Sequence, residues 1–208
     1  MHISLPENEK ALGILKEQGP VSISEMADHL NITNEGARFH LLKLQKEELV
    51  KAKTKIEGRG RPKQIWSLTQ KGHDRFPNKH AELTVNIIHM VQETLGEDAL
   101  KRIIGQHQNK MLSRYEEQIP DDMKLEDRVS KLTEIRSKDG YMAEYHKTDD
   151  HFIFIENHCP ICSAAKVCQG FCDAELATFQ AILGEDVTVE RTEHIVSGKR
   201  RCAYKISK

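Results

Sequence analysis

Three closely spaced helical segments open the chain and restrict the folds available to its first third. Apolar residues recur at helical spacing over residues 6–18 and stop at Gly19-Pro20, a pair that ends helices. Ser22 and Glu25 have the spacing of a capping box, which predicts a second short helix. Thr33 is a favourable N-cap for a third helix. The inward-facing residues predicted for the second and third helices are Ile23, Met26, Ala27, Leu30, Ala37, Leu41, Leu44 and Leu49.

A basic hairpin is predicted after the three helices. Residues 49–56 alternate like a strand, residues 58–62 form a glycine-containing tip, and residues 64–68 are typical of a return strand. Residues 51–63 carry six positive charges and one negative charge, enough for several phosphate contacts. Three helices followed by such a hairpin predict a winged helix-turn-helix. The alternative is a small helical bundle with an unrelated hairpin.

The third helix is the predicted recognition helix. Such a helix buries one face and presents polar side chains from its first turns to the major groove of DNA. Arg38 is the strongest candidate for a base contact, because a guanidinium can pair with guanine O6 and N7 together. Each candidate can also be an ordinary solvated surface residue; together they predict a double-stranded operator DNA as partner. The candidate DNA-binding residues are Thr33, Asn34, Arg38, His40, Lys43, Arg59, Arg61 and Lys63.

A long amphipathic stretch follows the turn-rich residues 69–80, which have the composition of a domain boundary. The stretch covers residues 83–117 with an interruption near Gly96, and a further helix is predicted over residues 125–136. We interpret its apolar stripe as a homodimer interface, because helix-turn-helix proteins commonly read two half-sites through twofold symmetry. The stripe consists of Val85, Ile88, Met90, Val91, Leu95, Leu100, Ile103 and Ile104.

The hydrophobic period changes to two after Asp139-Gly140, which predicts strands. These strands are expected over residues 141–146, 151–156, 187–196 and 201–206, with a helix over residues 174–183. The predicted fold class is therefore α+β with antiparallel strands in the C-terminal part. The predicted regions are a winged helix-turn-helix over residues 1–78, linking and dimerisation helices over residues 79–138, and a cysteine-rich sensor domain over residues 139–208.

The five cysteines are confined to the last quarter of the chain. Four lie within 14 residues and the fifth lies 30 residues later. No stretch approaches the roughly 20 apolar residues that span a bilayer, so we expect a cytoplasmic protein without a membrane partner, in which thiols stay reduced. Thiolates from several segments are typical ligands of iron–sulfur clusters and of zinc. Cys168 and Cys172, four residues apart, would share one face of a helix.

Two motif sets resemble one family of regulators. The runs TNEGARFHLLKLQKEELV, GRGRPK, IWSLTQKG and FPNKH resemble the winged-helix domain of ArsR/DeoR-like regulators over residues 7–83, and within them the SufR-type repressors of iron–sulfur cluster biogenesis. This resemblance implies operator binding as a dimer. The patterns NHCP, C-x-x-E-L and G-x-x-x-C resemble the sensor domain of the same family, which implies a 4Fe-4S cluster on Cys159, Cys172 and Cys202.

The chain departs from the family pattern at one ligand, because residues 173–201 contain no cysteine. Cys162, Cys168 and His194 are the candidates for a fourth ligand from this chain, and a ligand from outside the chain is also open. The alternatives to a cluster are a structural or regulatory zinc ion, a Cys159–Cys162 redox switch, and buried cysteines without chemistry.

The C-terminal part also resembles the small-molecule-binding domains of the vinyl-reductase type, so a small-molecule sensor is a further alternative. No nucleotide-binding glycine-rich loop or Ser-His-Asp order is visible. We therefore expect no enzyme, and a thiol oxidoreductase is the enzymatic alternative.

Overall fold

The computed structural model of this chain describes residues 9–55 and 62–208. The chain divides into two compact units, Met1–Asn78 and Lys79–Lys208. The helices expected over residues 79–138 and the cysteine-rich residues 139–208 thus belong to one unit. Within the part of the chain described, no helix is both long enough and apolar enough to cross a membrane.

Helices precede a small sheet in the N-terminal unit. Local signals fix where two of these helices begin. The Ser22 hydroxyl accepts a hydrogen bond from the Glu25 N–H at 3.3 Å, and the Glu25 carboxylate accepts one from the Ser22 N–H at 2.7 Å, which confirms the capping box. Thr33 caps the third helix by accepting from the Gly36 N–H at 3.2 Å. The described elements are α1 (Lys10–Gln18), β1 (Val21–Ser22), α2 (Ile23–Leu30), α3 (Asn34–Lys46), β2 (Val50–Lys55), β3 (Lys63–Leu68) and α4 (Gln70–His73).

The three strands form an antiparallel sheet in the order β1-β3-β2. β2 and β3 are the arms of the expected hairpin, with Val50 opposite Leu68 and Lys55 opposite Lys63. Trp66 on β3 is 1% exposed and packs with the apolar faces of the three helices. Helix-turn-helix followed by this hairpin is the arrangement of a winged helix-turn-helix, so the predicted fold of this unit is confirmed.

Gly72 lies in the short helix α4, which packs against the backbone of Glu48 and Leu49 just before the hairpin. Thr69 caps α4 by accepting from the Gly72 N–H at 3.1 Å, and its hydroxyl donates to the Glu48 carbonyl at 2.6 Å. A Cβ atom added at Gly72 would lie 2.1 Å from the Leu49 carbonyl oxygen. Only glycine fits this close approach of two backbone segments.

The C-terminal unit begins with helices and continues with a mixed segment of strands and helices. Gly96, at a φ of 80°, separates its first two helices, as the interruption in the sequence pattern predicted. The described elements are α5 (His80–Leu95), α6 (Glu97–Glu116), α7 (Leu125–Lys138), β4 (Ala143–Lys147), β5 (Phe152–Glu156), α8 (Cys162–Val167), α9 (Gly170–Leu183), β6 (Thr188–Glu193) and β7 (Cys202–Ser207), with a 3₁₀ helix at Ile195–Ser197 between the last two strands.

The four strands of this unit form one antiparallel sheet in the order β4-β5-β7-β6. The antiparallel α+β class is therefore confirmed. Two predicted bounds were wrong: the helix expected from residue 174 begins at Gly170, and the strand expected over residues 187–196 ends at Glu193. A register shift between Arg191 and Glu193 precedes that early end.

Aromatic rings join the sheet to α9 in the main core of this unit. Phe154 on β5, Phe179 on α9 and Tyr204 on β7 are mutually in contact, with ring centroids 5.3–5.7 Å apart. A separate apolar cluster joins α5 and α6 to α8 and α9 through Ile88 and Ile104. No sequence pattern predicted the helix α8. It packs against α5 through this cluster.

Candidate functional site

The first candidate site is a groove on the N-terminal unit. It has a volume of about 400 Å³ and lies between the start of α3, the start of α2 and strand β3. Three of the predicted DNA-binding residues, Asn34, Arg38 and Lys63, line it. The structure thus brings together residues that are up to 29 positions apart in the sequence. The groove is also lined by Ser22, Ile23, Ser24, Glu35 and Gln64.

The remaining DNA-binding candidates have different positions. Thr33 uses its hydroxyl to cap α3, and Lys43 is exposed on the same helix. His40 is half-buried, with its ring at the edge of the Phe39 ring. Arg59 and Arg61 lie outside the described residues.

Phe39 of α3 and two lysines of β2 belong to the same surface. Phe39 is 68% exposed on α3, and an apolar side chain there can contact a thymine methyl group. Lys51 and Lys53 are exposed along β2, where alternate residues point to the same face of a strand. Both lysines belong to the basic segment 51–63, which the sequence predicted to contact phosphates.

Part of the expected dimerisation stripe is buried. Ile88, Leu100 and Ile104 lie inside the unit, so this part of the stripe is internal core, which corrects its assignment to a subunit interface. A different face of α5, which shares only Met90 with the predicted stripe, is exposed: Leu83, Ile87 and Met90 are 54%, 47% and 53% accessible. Their spacing of four and three residues places them on one side of the helix.

The second candidate site is the cysteine region. Cys159 precedes α8, Cys162 begins it and Cys168 follows it, whereas Cys172 lies on α9 and Cys202 begins β7. All five thiols are free, and Cys172 and Cys202 are buried. The expectation that Cys168 and Cys172 share a helical face was wrong, because Cys168 lies in extended backbone before α9 begins.

Burial and neighbouring charges raise the pKa values of the Cys159 and Cys172 thiols. Burial, followed by the charge of Glu175, raises the pKa of Cys159 to about 12, and Cys162 and Cys172 add to this effect. Burial and Glu175 likewise raise the pKa of Cys172 to about 12, with a further contribution from Cys202. Cys172 therefore lies within electrostatic reach of both Cys159 and Cys202.

In contrast, Cys168 packs in the apolar cluster around α8, beside Val167 and Phe171. Across residues 9–55 and 62–208, no three Cys, His, Asp or Glu side chains converge closely enough to hold a single metal ion. The thiolates of a cluster differ from those of a single-ion site, because each binds a different iron atom.

Two buried nitrogen atoms beside the cysteines have no hydrogen-bond partner among the described residues: His194 Nε2 and Arg191 Nε. Arg191 also donates through Nη2 to the Cys172 carbonyl oxygen, so its guanidinium lies next to α9. Burial, followed by the positive charge of Arg191, lowers the pKa of His194. This donor set of soft thiols and an uncommitted imidazole fits a metal centre chemically.

A buried charge network adjoins the cysteines, and sequence reasoning missed it. Arg136 is 1% exposed and donates to Glu156 at 2.6 Å and to Glu175 at 2.8 Å. Tyr141 donates to Glu175 at 2.6 Å. Glu156 pairs with Cys202 across the sheet, and Glu175 follows Cys172 by three residues on α9. One buried cation thus faces two carboxyl groups.

Burial raises the pKa of Glu156 to about 7, although Arg136 opposes the shift. Arg136 and Glu175 also line a cavity of about 450 Å³ whose other walls include Lys110 and Arg114 on α6 and Ile161 in the cysteine loop. The cavity is therefore lined by three basic side chains (Lys110, Arg114 and Arg136), by the carboxyl groups of Asp139 and Glu175, and by apolar residues of the loop that follows Cys159.

The solved structures similar to this chain include a ZitR mutant and PadR. No family model matches the chain, and no curated protein matches it. A double mutant of ZitR from Lactococcus lactis is 21% identical with a TM-score of 0.28, covering 66% of this chain and 77% of that chain. PadR from Bacillus subtilis in complex with operator DNA is 17% identical with a TM-score of 0.29, covering 65% of this chain and 92% of that chain. The winged helix is thus defined by the order of this chain's own helices and strands.

Proposed function

We propose that this chain is a DNA-binding transcriptional regulator whose operator affinity is controlled by an iron–sulfur cluster held by cysteines of the C-terminal unit. The observation that carries the first half is the groove in which Asn34, Arg38 and Lys63 meet beside a winged hairpin. A winged helix-turn-helix places the start of its recognition helix in the major groove. The wing then lies along the phosphate backbone.

Substitutions in the groove test DNA binding. Replacing Arg38 with alanine should weaken binding to a selected operator by roughly 10- to 100-fold and relax the base preference at one position. Replacing Lys63 should weaken binding to all sequences alike and lower the salt slope by about one. Arg102→Ala removes the same charge from the C-terminal unit and serves as the control. Equal loss in all three variants, or no loss at Arg38, would contradict the assignment of this groove.

Cys159, Cys172 and Cys202 are the residues proposed to hold the cluster. Their thiols have raised pKa values in the chain alone, so they stay protonated at neutral pH until a cation offsets the burial. Bound there, the cluster would supply a centre whose oxidation or loss changes the charge of the site. The buried uncommitted His194 Nε2 and Arg191 Nε atoms support a missing partner at this position.

Anaerobic reconstitution with iron and sulfide tests this half. The full chain should bind about four iron atoms for a 4Fe-4S cluster and become brown. Cys159→Ser, Cys172→Ser and Cys202→Ser should each lose most of the cluster, whereas Cys168→Ser in the apolar cluster should keep it. The proposal would be refuted if the chain purified with one tightly bound zinc ion. It would also be refuted if Cys168→Ser lost as much iron as the other three variants.

A route from the cysteines to the DNA-binding unit runs through α5. α8 contacts both α5 and the 3₁₀ helix Ile195–Ser197, and α5 begins two residues after Asn78.

We infer a homodimer through the exposed face of α5, because Leu83, Ile87 and Met90 have the spacing of a two-helix seam. Ile87→Asp should make the chain monomeric in sedimentation experiments, whereas His89→Asp on another face should not. A monomeric wild-type chain would rule out this interface.

A small-molecule sensor is the second candidate function, and the cavity beside the cysteine loop favours it. Its volume of about 450 Å³ falls in the range of ligand pockets. Lys110 at its edge has no ion pair among the described residues, and Arg114 is held in place by Asp139. A thermal-shift screen with small organic acids tests this function. Stabilisation that Lys110→Ala abolishes, in protein free of iron, would favour it over the cluster.

A further inference from the structure

The chain neighbours of His194 contact the two buried cysteines, Arg191 at the Cys172 carbonyl oxygen and Ile195 at Cys202. The N–H of Ile195, the next residue, meets the Cys202 Sγ atom at 3.5 Å. The imidazole also lies within electrostatic reach of Asp173 and Glu175, which flank Cys172 on α9. His194 therefore belongs to the Cys172 and Cys202 side of the site, although it is eight residues from the nearest cysteine in the sequence.

The His194 ring nitrogen Nε2 is buried and has no hydrogen-bond partner in the part of the chain described. Buried polar atoms in native proteins nearly always have a partner, so each exception needs an explanation. Arg191, three residues earlier on β6, has a second such atom at Nε. A bound metal–sulfur centre would satisfy both atoms, because its metal can bind the imidazole nitrogen and its sulfur atoms can accept a hydrogen bond from the guanidinium.

We propose that His194 is the fourth protein ligand of the cluster and binds one iron atom through Nε2. This inference rests on the proposed function. Three cysteine thiolates leave one iron of a 4Fe-4S cluster without a protein ligand, and imidazole is an established ligand of iron in iron–sulfur centres. Arg191 then stays beside the anionic centre as a hydrogen-bond donor and counter-charge.

The other two candidates are placed less well for this role. Cys168 packs against the apolar cluster around α8. Cys162 is held in the loop after Cys159, where its backbone N–H donates to the Cys159 carbonyl at 3.2 Å, so it lies close in the chain to a ligand that is already counted. His194 is favoured because its Nε2 atom is buried and has no hydrogen-bond partner among the described residues, a cost that binding to iron would offset.

Pulsed electron paramagnetic resonance on the reduced, reconstituted full chain tests the inference. Protein labelled with ¹⁵N-histidine should show a strongly coupled nitrogen on the cluster. His194→Cys should keep the iron content but lose that coupling, and His194→Ala should also lose it. His158→Ala, which removes an exposed histidine next to Cys159, should retain it.

The outcomes separate this inference from the function on which it rests. A cluster that forms in the wild-type chain without a coupled nitrogen, or a coupling that survives in His194→Cys or disappears in His158→Ala, overturns the histidine ligand and leaves the cluster intact. A wild-type chain that binds no cluster overturns both.

Discussion

Replacing Glu156 with glutamine should remove a pH dependence that this buried carboxyl group imposes on stability. Burial raises the pKa of Glu156 from 4.5 to about 7 in the folded chain, and unfolding returns the group to its ordinary value. Between these two pKa values the folded chain binds a proton that the unfolded chain releases. The free energy of unfolding of the wild-type chain therefore falls as pH rises through this window.

The size of the effect follows from the pKa shift and the burial of the side chain. The values of 4.5 and about 7 differ by about 2.5 units, and each unit corresponds to about 1.4 kcal/mol, so the stability loss is about 3 kcal/mol. Glutamine has nearly the same shape and leaves one carboxylate, Glu175, opposite Arg136. The variant should therefore gain stability relative to the wild-type chain as pH rises, because the unfavourable second buried charge is absent.

Urea unfolding of the reduced, metal-free chain from about pH 5 to about pH 8, followed by circular dichroism, measures the effect. Burial lowers the pKa of His194, which gives the opposite slope, but this contribution is common to both proteins and cancels in the difference. Glu185→Gln changes an exposed carboxylate and should follow the wild-type curve. Parallel curves for the wild-type chain and Glu156→Gln would refute the reasoning.

Three further predictions concern the backbone. Gly72→Ala should destabilise the N-terminal unit by about 2 to 3 kcal/mol through overpacking, measured by the fluorescence of Trp66, the single tryptophan; an unchanged midpoint would contradict the close approach. Gly105→Ala, within α6 where an added Cβ meets nothing within 4 Å, should instead stabilise the chain by about 0.5 to 1 kcal/mol, and a loss of stability in thermal unfolding would count against it. Thr33→Ala should cost about 1 kcal/mol in the same fluorescence assay, with Thr33→Ser as the control that keeps the cap.

The N-terminal fold was predictable because its signals are local. The capping residues Ser22 and Thr33 act on backbone atoms three positions away, and the hairpin pattern requires only neighbouring strands. The convergence of Lys63 with Arg38 in one groove depends on how the hairpin folds back against α3. That position could be expected from the fold class but not from spacing.

The C-terminal site was less predictable, because the burial of individual side chains determines which residues belong to it. Arg136 occupies a polar position in an amphipathic helix and has the sequence signature of a solvated residue, yet it is enclosed by two carboxyl groups. α8 has six residues, too few for a helical period to be recognised and too few to be stable in isolation. The sequence also predicted Cys168 and Cys172 on one helix. The break between α8 and α9 was not recognised, because no glycine-proline pair marks it.

In the proposed function, the short helix α8 would transmit the state of the cysteines to α5. A helix of six residues gains little from its own hydrogen bonds, so its position depends on what holds its ends and its buried face. Cys159 and Cys162 lie at its start, Ala164 packs in the cluster with Ile88 of α5, and Cys168 follows its end. In the proposed function, a change in the binding state of Cys159 would act on the element that α5 packs against. A coupling of 1 to 3 kcal/mol is sufficient for regulation, and the proposed mechanism requires the docking of α8 to change by this amount.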